Sequence, residues 1–207
     1  MALKCFYYDV TQLSDQRLFD KGMSELFWRE RAERVKRYRF EKDRRLCLGA
    51  GLLAEDMLRS AGADDLTLTY NGYGKPSLAK YPHICFNISH DGDMAVCAVA
   101  DVPTGVDVQK ITACDTKVAD MVMQPDEIRY ITSEKDTAAA FTRLWTRKES
   151  YIKLIGKGMS LDMSSFSVLC MQEKAFFTEY AVGEYMICIC CSVEKEVLFS
   201  EWRYDAK

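Results

Sequence analysis

The sequence predicts an α+β protein with mostly antiparallel sheet, and three observations lead there. Strand-like and helix-like runs follow one another without strict alternation, and the chain closes on a succession of short β-patterned runs at hairpin spacing. The third is composition: 207 residues, 48% hydrophobic, only 4 prolines, and no repeat, low-complexity tract or Ser/Pro-rich linker. Such a chain buries a core without staples, and any two lobes within it must pack closely.

Taken in order, KCFYYDV (4–10) reads as a first strand and a helix follows Ser14. A charged helical stretch then runs from Ser24 through LCLGAGLLAEDMLRSAG to Gly62. LTLTY alternates like a strand, and NGYGKP is turn chemistry, with Asn-Gly supplying positive φ and Pro76 restarting an extended segment. HICFNIS and MAVCAVA are strand-like and lead through DVPT into GVDVQKI, which together read as a β-meander. Helical regions follow over about 115–132 and 133–155, and FSVLC, AFFTEYAV, EYMICICCSV and EVLFSEWR form the β-rich tail.

The net charge of −3 argues against general nucleic-acid affinity. MALKCFYYDV lacks the apolar core of a signal peptide, and no run approaches the ~18 apolar residues of a membrane span, so a cytoplasmic chain is expected. The 9 dispersed cysteines suit reduced, buried thiols better than a disulfide framework or zinc site, with Cys188, Cys190 and Cys191 as strand filler.

Four stretches hold residues that can do chemistry. In GVDVQ a strand period of two turns Asp107 and Gln109 to one face and Val106 and Val108 to the other. Two oxygen donors on one face suit a hard cation such as Mg²⁺, although a lone strand-end Asp is more often a solvated turn residue. In LWTRKESYIKLIGKG the helical period aligns Trp145, Glu149 and Lys153, while Leu144, Tyr151, Ile152 and Ile155 supply packing. The plainer reading is a surface Glu149–Lys153 pair worth about 0.3–0.5 kcal/mol; the functional one makes Glu149 a metal ligand or base and aims Lys148 and Lys153 at phosphate.

In FNISH, Ser89 and His90 face opposite ways on a strand, which disfavours a hydrolase dyad and suits two donors to a phosphate. From Trp28 to Arg45 the chain holds 9 basic and 4 acidic residues, a local +5. That segment could bind nucleic-acid backbone, hold one small polyphosphate, or be a solvated helix; Arg31 and Arg34 share a face, and YGKP adds Lys75 on a tight turn.

The order YGKP, FNISH, GVDVQK, LWTRKESYIKLIGKG closely resembles the ordered motifs of the 4′-phosphopantetheinyl transferase superfamily, surfactin-synthetase-activating type. The motif W-x-x-K-E-S/A-x-x-K-x-x-G-x-G is matched in full from Trp145 to Gly158. The resemblance implies a monomer of two similar, pseudo-twofold-related α+β lobes, expected over 1–103 and 104–207, with coenzyme A in the cleft between them. It implies transfer of the phosphopantetheine arm of coenzyme A to a serine of an apo acyl or peptidyl carrier protein, releasing adenosine 3′,5′-bisphosphate.

By the same resemblance, Asp107 and Glu149 would ligate Mg²⁺, and Lys148 and Lys153 would face the pyrophosphate. Lys75, Ser89 and His90 would hold the nucleotide and its phosphates, and Arg31 and Arg34 the 3′-phosphate, with Arg45 as an alternative. Glu149 is the candidate base, and Lys153 would stabilise the departing nucleotide. One departure stands out: the last position of G-x-D-x-E is Gln109, a neutral oxygen donor that would ligate through its amide oxygen or leave the place to water. A degenerate coenzyme A or nucleotide sensor is the rival reading, and a nucleic-acid-binding module using 28–45 the third.

Overall fold

The structure, a computed structural model, describes residues 1–171 and 174–204. Its elements are β1 (Leu3–Asp9), a short 3₁₀ turn, α1 (Gln16–Glu25), α2 (Arg29–Arg37), α3 (Glu41–Ser60), β2 (Leu68–Tyr70), β3 (Pro76–Leu78), β4 (Cys85–Asp91) and β5 (Met94–Ala100). There follow β6 (Thr104–Lys110), α4 (Thr116–Val122), α5 (Pro125–Ser133), α6 (Thr137–Ile155), β7 (Phe176–Val182), β8 (Tyr185–Cys191) and β9 (Val197–Glu201). The expected α+β class with mostly antiparallel sheet is what forms.

The two halves repeat one connectivity. In β1–α3–β4–β5 the last strand lies between the other two and pairs antiparallel with both, and β6–α6–β7–β8 does the same with β8 in the middle. The first sheet gains a fourth strand when β9 joins the free edge of β1 in parallel. Between the sheets a shared core of Leu3, Cys5, Val96 and Ala98 meets Val106, Val108, Ile187 and Ile189, each large aliphatic among them worth about 1.5–3 kcal/mol on burial.

Three readings of the sequence change. The helix expected after Ser14 forms as α1, but the single helical stretch expected from Ser24 to Gly62 starts only at Arg29 and is divided into α2 and α3. The break at Phe27–Trp28 has a physical cause: Trp28 is buried against Phe86, its indole N–H donates to the Leu66 carbonyl at 2.8 Å, and the Phe27 and Trp28 amides donate to the buried Glu55 carboxylate. Those bonds replace the helical ones the two amides would otherwise make. FSVLC is not a strand; the Ser167 hydroxyl donates to the Asp126 carboxylate and the Val168 amide to that of Glu127.

The β-meander also fails at its third strand, because β6 leaves the first sheet to pair with β8. It still runs beside β4, but side chains bridge the gap: Asn87 accepts from the Val106 amide at 2.9 Å and Asp91 from the Lys110 amide at 2.7 Å. Since Asn87, Ser89 and Asp91 alternate along one face of β4, Ser89 sits between these two bridges and opposite Asp107.

Helix α6 is bounded at both ends by local chemistry. Asp136 accepts from the Ala139 amide at 2.9 Å as an N-cap, and Gly156 ends the helix in the left-handed region at φ 73°. Its distance from β6 is set by Gly105: a Cβ there would fall 2.0 Å from the Ser150 carbonyl oxygen and 2.5 Å from the Leu154 nitrogen. The absent side chain lets the helix settle on the strand two residues from Asp107.

Candidate active site

The close seat of α6 on β6 brings Lys153 to Asp107. The Lys153 ammonium donates to Asp107 Oδ1 at 2.6 Å and to Ser89 Oγ at 2.7 Å, while Ser89 Oγ donates to the same carboxylate oxygen at 2.7 Å. Asp107 is only 2% exposed, so its charge depends on these donors. Trp145, Glu149 and Lys153 share one face of α6 as the helical period requires, and with Ser89, His90, Asp107, Gln109, Ile88 and Arg31 they line a cavity of about 320 Å³.

Two carboxylates, Asp107 and Glu149, and two cations, Arg31 and Lys153, meet in that cavity. Burial, followed by the neighbouring Asp107, raises the Glu149 carboxyl above the ordinary carboxylate range, against a smaller lowering by Lys153. Lys153 already neutralises Asp107, which leaves Glu149 as the carboxyl without an ion-pair partner in the cavity. Protein crowding, then the positive charges of Arg31 and Lys153, hold the His90 imidazole below its ordinary value, although its edge is exposed.

A second cavity of about 520 Å³ adjoins the first and shares Arg31 and Ile88 with it. Its walls include Trp28, Arg34, Leu68, Tyr70, Gly74, Pro76 and Phe86, a mixture of apolar surface and guanidinium. Among the described residues neither Arg31 nor Arg34 has an acidic partner. Arg31 donates to the Cys47 carbonyl at 3.1 Å and lies over the Trp28 ring, its stem pressed against Gly51, where a Cβ would come within 2.6 Å of Arg31 Cδ. Arg45 lines neither cavity and sits 3.8 Å from Glu41.

Two expected phosphate ligands are elsewhere. Lys148 is fully buried and donates to Glu127 at 2.8 Å and to the Met163 and Phe166 carbonyls, with its ammonium 4.5 Å from the Phe166 ring centre. The reason is angular: Lys148 follows Leu144 by four residues and precedes Ile152 by four, so it lies on the packed stripe, roughly 100° from the line of Glu149. Lys75 also misses both cavities, because its ammonium donates to the Thr104, Lys153 and Leu154 carbonyls.

Gln109 lines the first cavity, but its amide nitrogen donates to Asp107 Oδ2 at 3.3 Å, so the amide oxygen is not the atom beside the carboxylate. The donors that remain, two carboxylates with the Gln109 amide one half-turn from presenting oxygen, are all of the hard type that Mg²⁺ takes. Among the described residues no group of three His, Cys, Asp or Glu side chains could hold a metal ion. Sequence reasoning misses Glu55, Glu127 and Gly105, of which only Gly105, at the head of GVDVQ, carries a local signal; it marks Asn71 as a turn residue, although the positive φ falls on Gly74 and not on Asn71–Gly72.

Fold and site together define a class: an α+β protein of two like halves with a charged cavity where β4 and β6 splay apart beside α6. Comparison with known proteins narrows it. Residues 103–206 match the family described as the 4′-phosphopantetheinyl transferase superfamily, and residues 19–102 match the N-terminal region of 4′-phosphopantetheinyl transferase. The chain belongs to the 4′-phosphopantetheinyl transferase superfamily.

Its relatives include 4′-phosphopantetheinyl transferase gsp of Aneurinibacillus migulanus, 32% identical over 94% of this chain and 88% of that protein. Sfp of Bacillus subtilis (strain 168) is 34% identical over 70% of this chain and 66% of its own length. The transferase psf-1 of Bacillus pumilus is 34% identical over 67% of this chain, which spans 61% of that protein. Among solved structures, holo-[acyl-carrier-protein] synthase of Thermotoga maritima superposes with a TM-score of 0.37 and 16% identity over 43% of this chain and 61% of that one, too slight a likeness to bear weight.

Proposed function

We propose that the chain transfers the 4′-phosphopantetheine arm of coenzyme A to a serine of an apo acyl or peptidyl carrier protein and releases adenosine 3′,5′-bisphosphate. The observation that carries this is the junction at Arg31 of two cavities, one lined by Asp107, Glu149 and Lys153 and the other by Arg34 and apolar walls. Nucleotide and pyrophosphate need such adjoining environments. Asp107 and Glu149 would hold Mg²⁺, with Gln109 joining them if its amide turns. The ion would neutralise phosphate charge and polarise the reacting phosphorus.

In this reading Arg31, Arg34 and His90 hold the 3′-phosphate, and Phe86, Ile88 and Pro76 give the base an apolar wall. The carrier serine Oγ attacks the β-phosphorus, forming a new P–O bond as the bond from that phosphorus to the bridging oxygen breaks. The bridging oxygen leaves with the nucleotide. Glu149 takes the serine proton. Lys153, turning from Asp107, meets the charge that develops on the departing phosphate. Lys148 and Lys75 take no part in binding phosphate.

The protein would work in the cytoplasm as a monomer of lobes 1–103 and 104–207, with no nucleic-acid or membrane partner. Among the described residues no helix is long and apolar enough to cross a membrane. Incubation with coenzyme A, Mg²⁺ and a panel of apo carriers tests the reading, with a phosphopantetheine mass gain on the carrier as the expected result. The Gln109 amide, turned nitrogen-first toward Asp107, favours one rival: a coenzyme A sensor with a weakened metal site. Coenzyme A binding without mass gain on any carrier would select that rival. If transfer is seen, Gln109→Glu should lower the Mg²⁺ concentration for half-maximal rate, and an unchanged metal titration would remove position 109 from the ligand set.

A further inference from the structure

The loop between β2 and β3 is built to grip the end of α6. Asn71 Oδ1 accepts from the Tyr73 and Lys75 amides, both at 2.9 Å, which closes the turn, while its Nδ2 reaches across to the Gly156 carbonyl at 2.9 Å. Lys75 then points into the interface between the halves. Its ammonium donates to the Lys153 carbonyl at 2.6 Å, the Leu154 carbonyl at 3.0 Å and the Thr104 carbonyl at 3.2 Å.

Two of those acceptors are carbonyls in the last turn of α6, which has no intrahelical donors for them and forms the negative end of the helix dipole. An ammonium has three N–H groups, and here all three have acceptors. Among the described residues no carboxylate pairs with it, so carbonyls alone hold the charge. Gly156 must approach this loop closely: a Cβ there would lie 2.8 Å from Lys75 Cδ, quite apart from its φ of +73°.

The same residues touch the site from both sides. Lys153 gives its carbonyl to Lys75 and its ammonium to Asp107 and Ser89. Thr104 opens β6, three residues before Asp107, and Gly74 and Pro76, either side of Lys75, line the larger cavity. One loop therefore forms a cavity wall and fastens the helix end that carries Lys153.

We infer that Lys75, seated by Asn71, is a positioning residue: it clamps the last turn of α6 to the N-terminal half, fixes the backbone from which Lys153 reaches into the site, and links nucleotide in the larger cavity to that lysine. The inference rests on the transferase reading for its kinetic consequence, while the clamp itself does not. Nucleotide against Gly74 and Pro76 stiffens the loop, and the stiffened loop steadies Lys153.

The test compares wild type, Lys75→Met and Lys75→Arg in the full chain by hydrogen exchange, by calorimetry with adenosine 3′,5′-bisphosphate, and by steady-state transfer. Lys75→Met should speed exchange in residues 150–157, leave nucleotide affinity within about threefold, and lower kcat roughly 10- to 100-fold, the scale of a lost charge-assisted bond. Lys75→Arg, whose planar fork cannot converge on three carbonyls, should fall between. Adenosine 3′,5′-bisphosphate should slow exchange at 150–157 in wild type and not in Lys75→Met.

A loss of nucleotide affinity above about tenfold with unchanged exchange at 150–157 would make Lys75 a ligand and overturn the inference. So would faster exchange spread evenly over the chain with normal kcat per folded molecule. If Lys75→Met does not fold, Asn71→Ala is read by the same measurements with the same outcomes. A wild type that transfers nothing but shows the exchange pattern would retire the transferase reading and leave the clamp.

Discussion

The two halves share a connectivity and differ in what they bury. Helix α3 lies on the first sheet with an almost wholly apolar face, including Leu48, Leu53, Leu58 and Met57, and its one buried carboxylate, Glu55, caps the neighbouring helix. Helix α6 lies on the second sheet and buries Thr142, Thr146, Lys148 and Ser150. Each half also needs one missing side chain where helix crosses strand. In the first it is Gly49 on the helix, against Val10 and Tyr8 side chains; in the second it is Gly105 on the strand, against the backbone of α6. One frame serves as an apolar platform and the other as a charged instrument.

Glu149→Gln should break the difference most sharply. Transfer falls at least about 100-fold, the lower range of general-base contributions, while the unfolding midpoint seen by circular dichroism does not drop, because a half-buried carboxyl whose charged form is disfavoured is removed. Near-normal turnover would instead move the base elsewhere.

Lys148→Met asks whether the buried charge of the second half is structural. It leaves Glu127 buried without its cation, a loss of about 3–5 kcal/mol readable in urea titrations, whereas Glu55→Gln in the first half should cost only about 1 kcal/mol. Equal losses would erase the contrast between the halves.

The glycine pair sharpens it further. Gly105→Ala pushes against helix backbone and should cost about 1–3 kcal/mol and most of the transfer activity, since α6 must lift from Asp107. Gly49→Ala meets movable side chains, so it should cost less stability and keep turnover.

The smallest effect is a pH dependence. His90 sits below its ordinary value in the free site, and a phosphate beside it raises that value, so binding takes up a proton. Affinity for adenosine 3′,5′-bisphosphate should therefore strengthen as pH falls toward and below about 6.5, and His90→Gln should flatten the slope measured by calorimetry.

Much of this was legible in the sequence. The line Trp145, Glu149, Lys153 follows from the helical period, and Asp107 with Gln109 from the strand period; both groups line one cavity. Lys148 was misplaced because motif adjacency to Glu149 outweighed the same period, which put it level with Leu144 and Ile152. Lys75 was misplaced for a different reason. Its partners are backbone carbonyls nearly eighty positions away, and no side-chain pattern announces a carbonyl. The broken helix at Trp28 depended on Glu55, another long-range partner. Local periodicity reports faces; it does not report what a buried amide or ammonium will find.

The pairing of β9 with β1 has a consequence for how the chain is made. Strand β1 is made long before β9, yet its outer edge is covered only when residues 197–201 arrive. Until then the edge keeps open hydrogen-bonding groups that invite pairing with other chains, and the long separation slows closure. Its native cover lies far along the chain, so the hazard of misassembly persists until that strand is made, and a fragment stopping short of Val197 would keep that exposed edge for good.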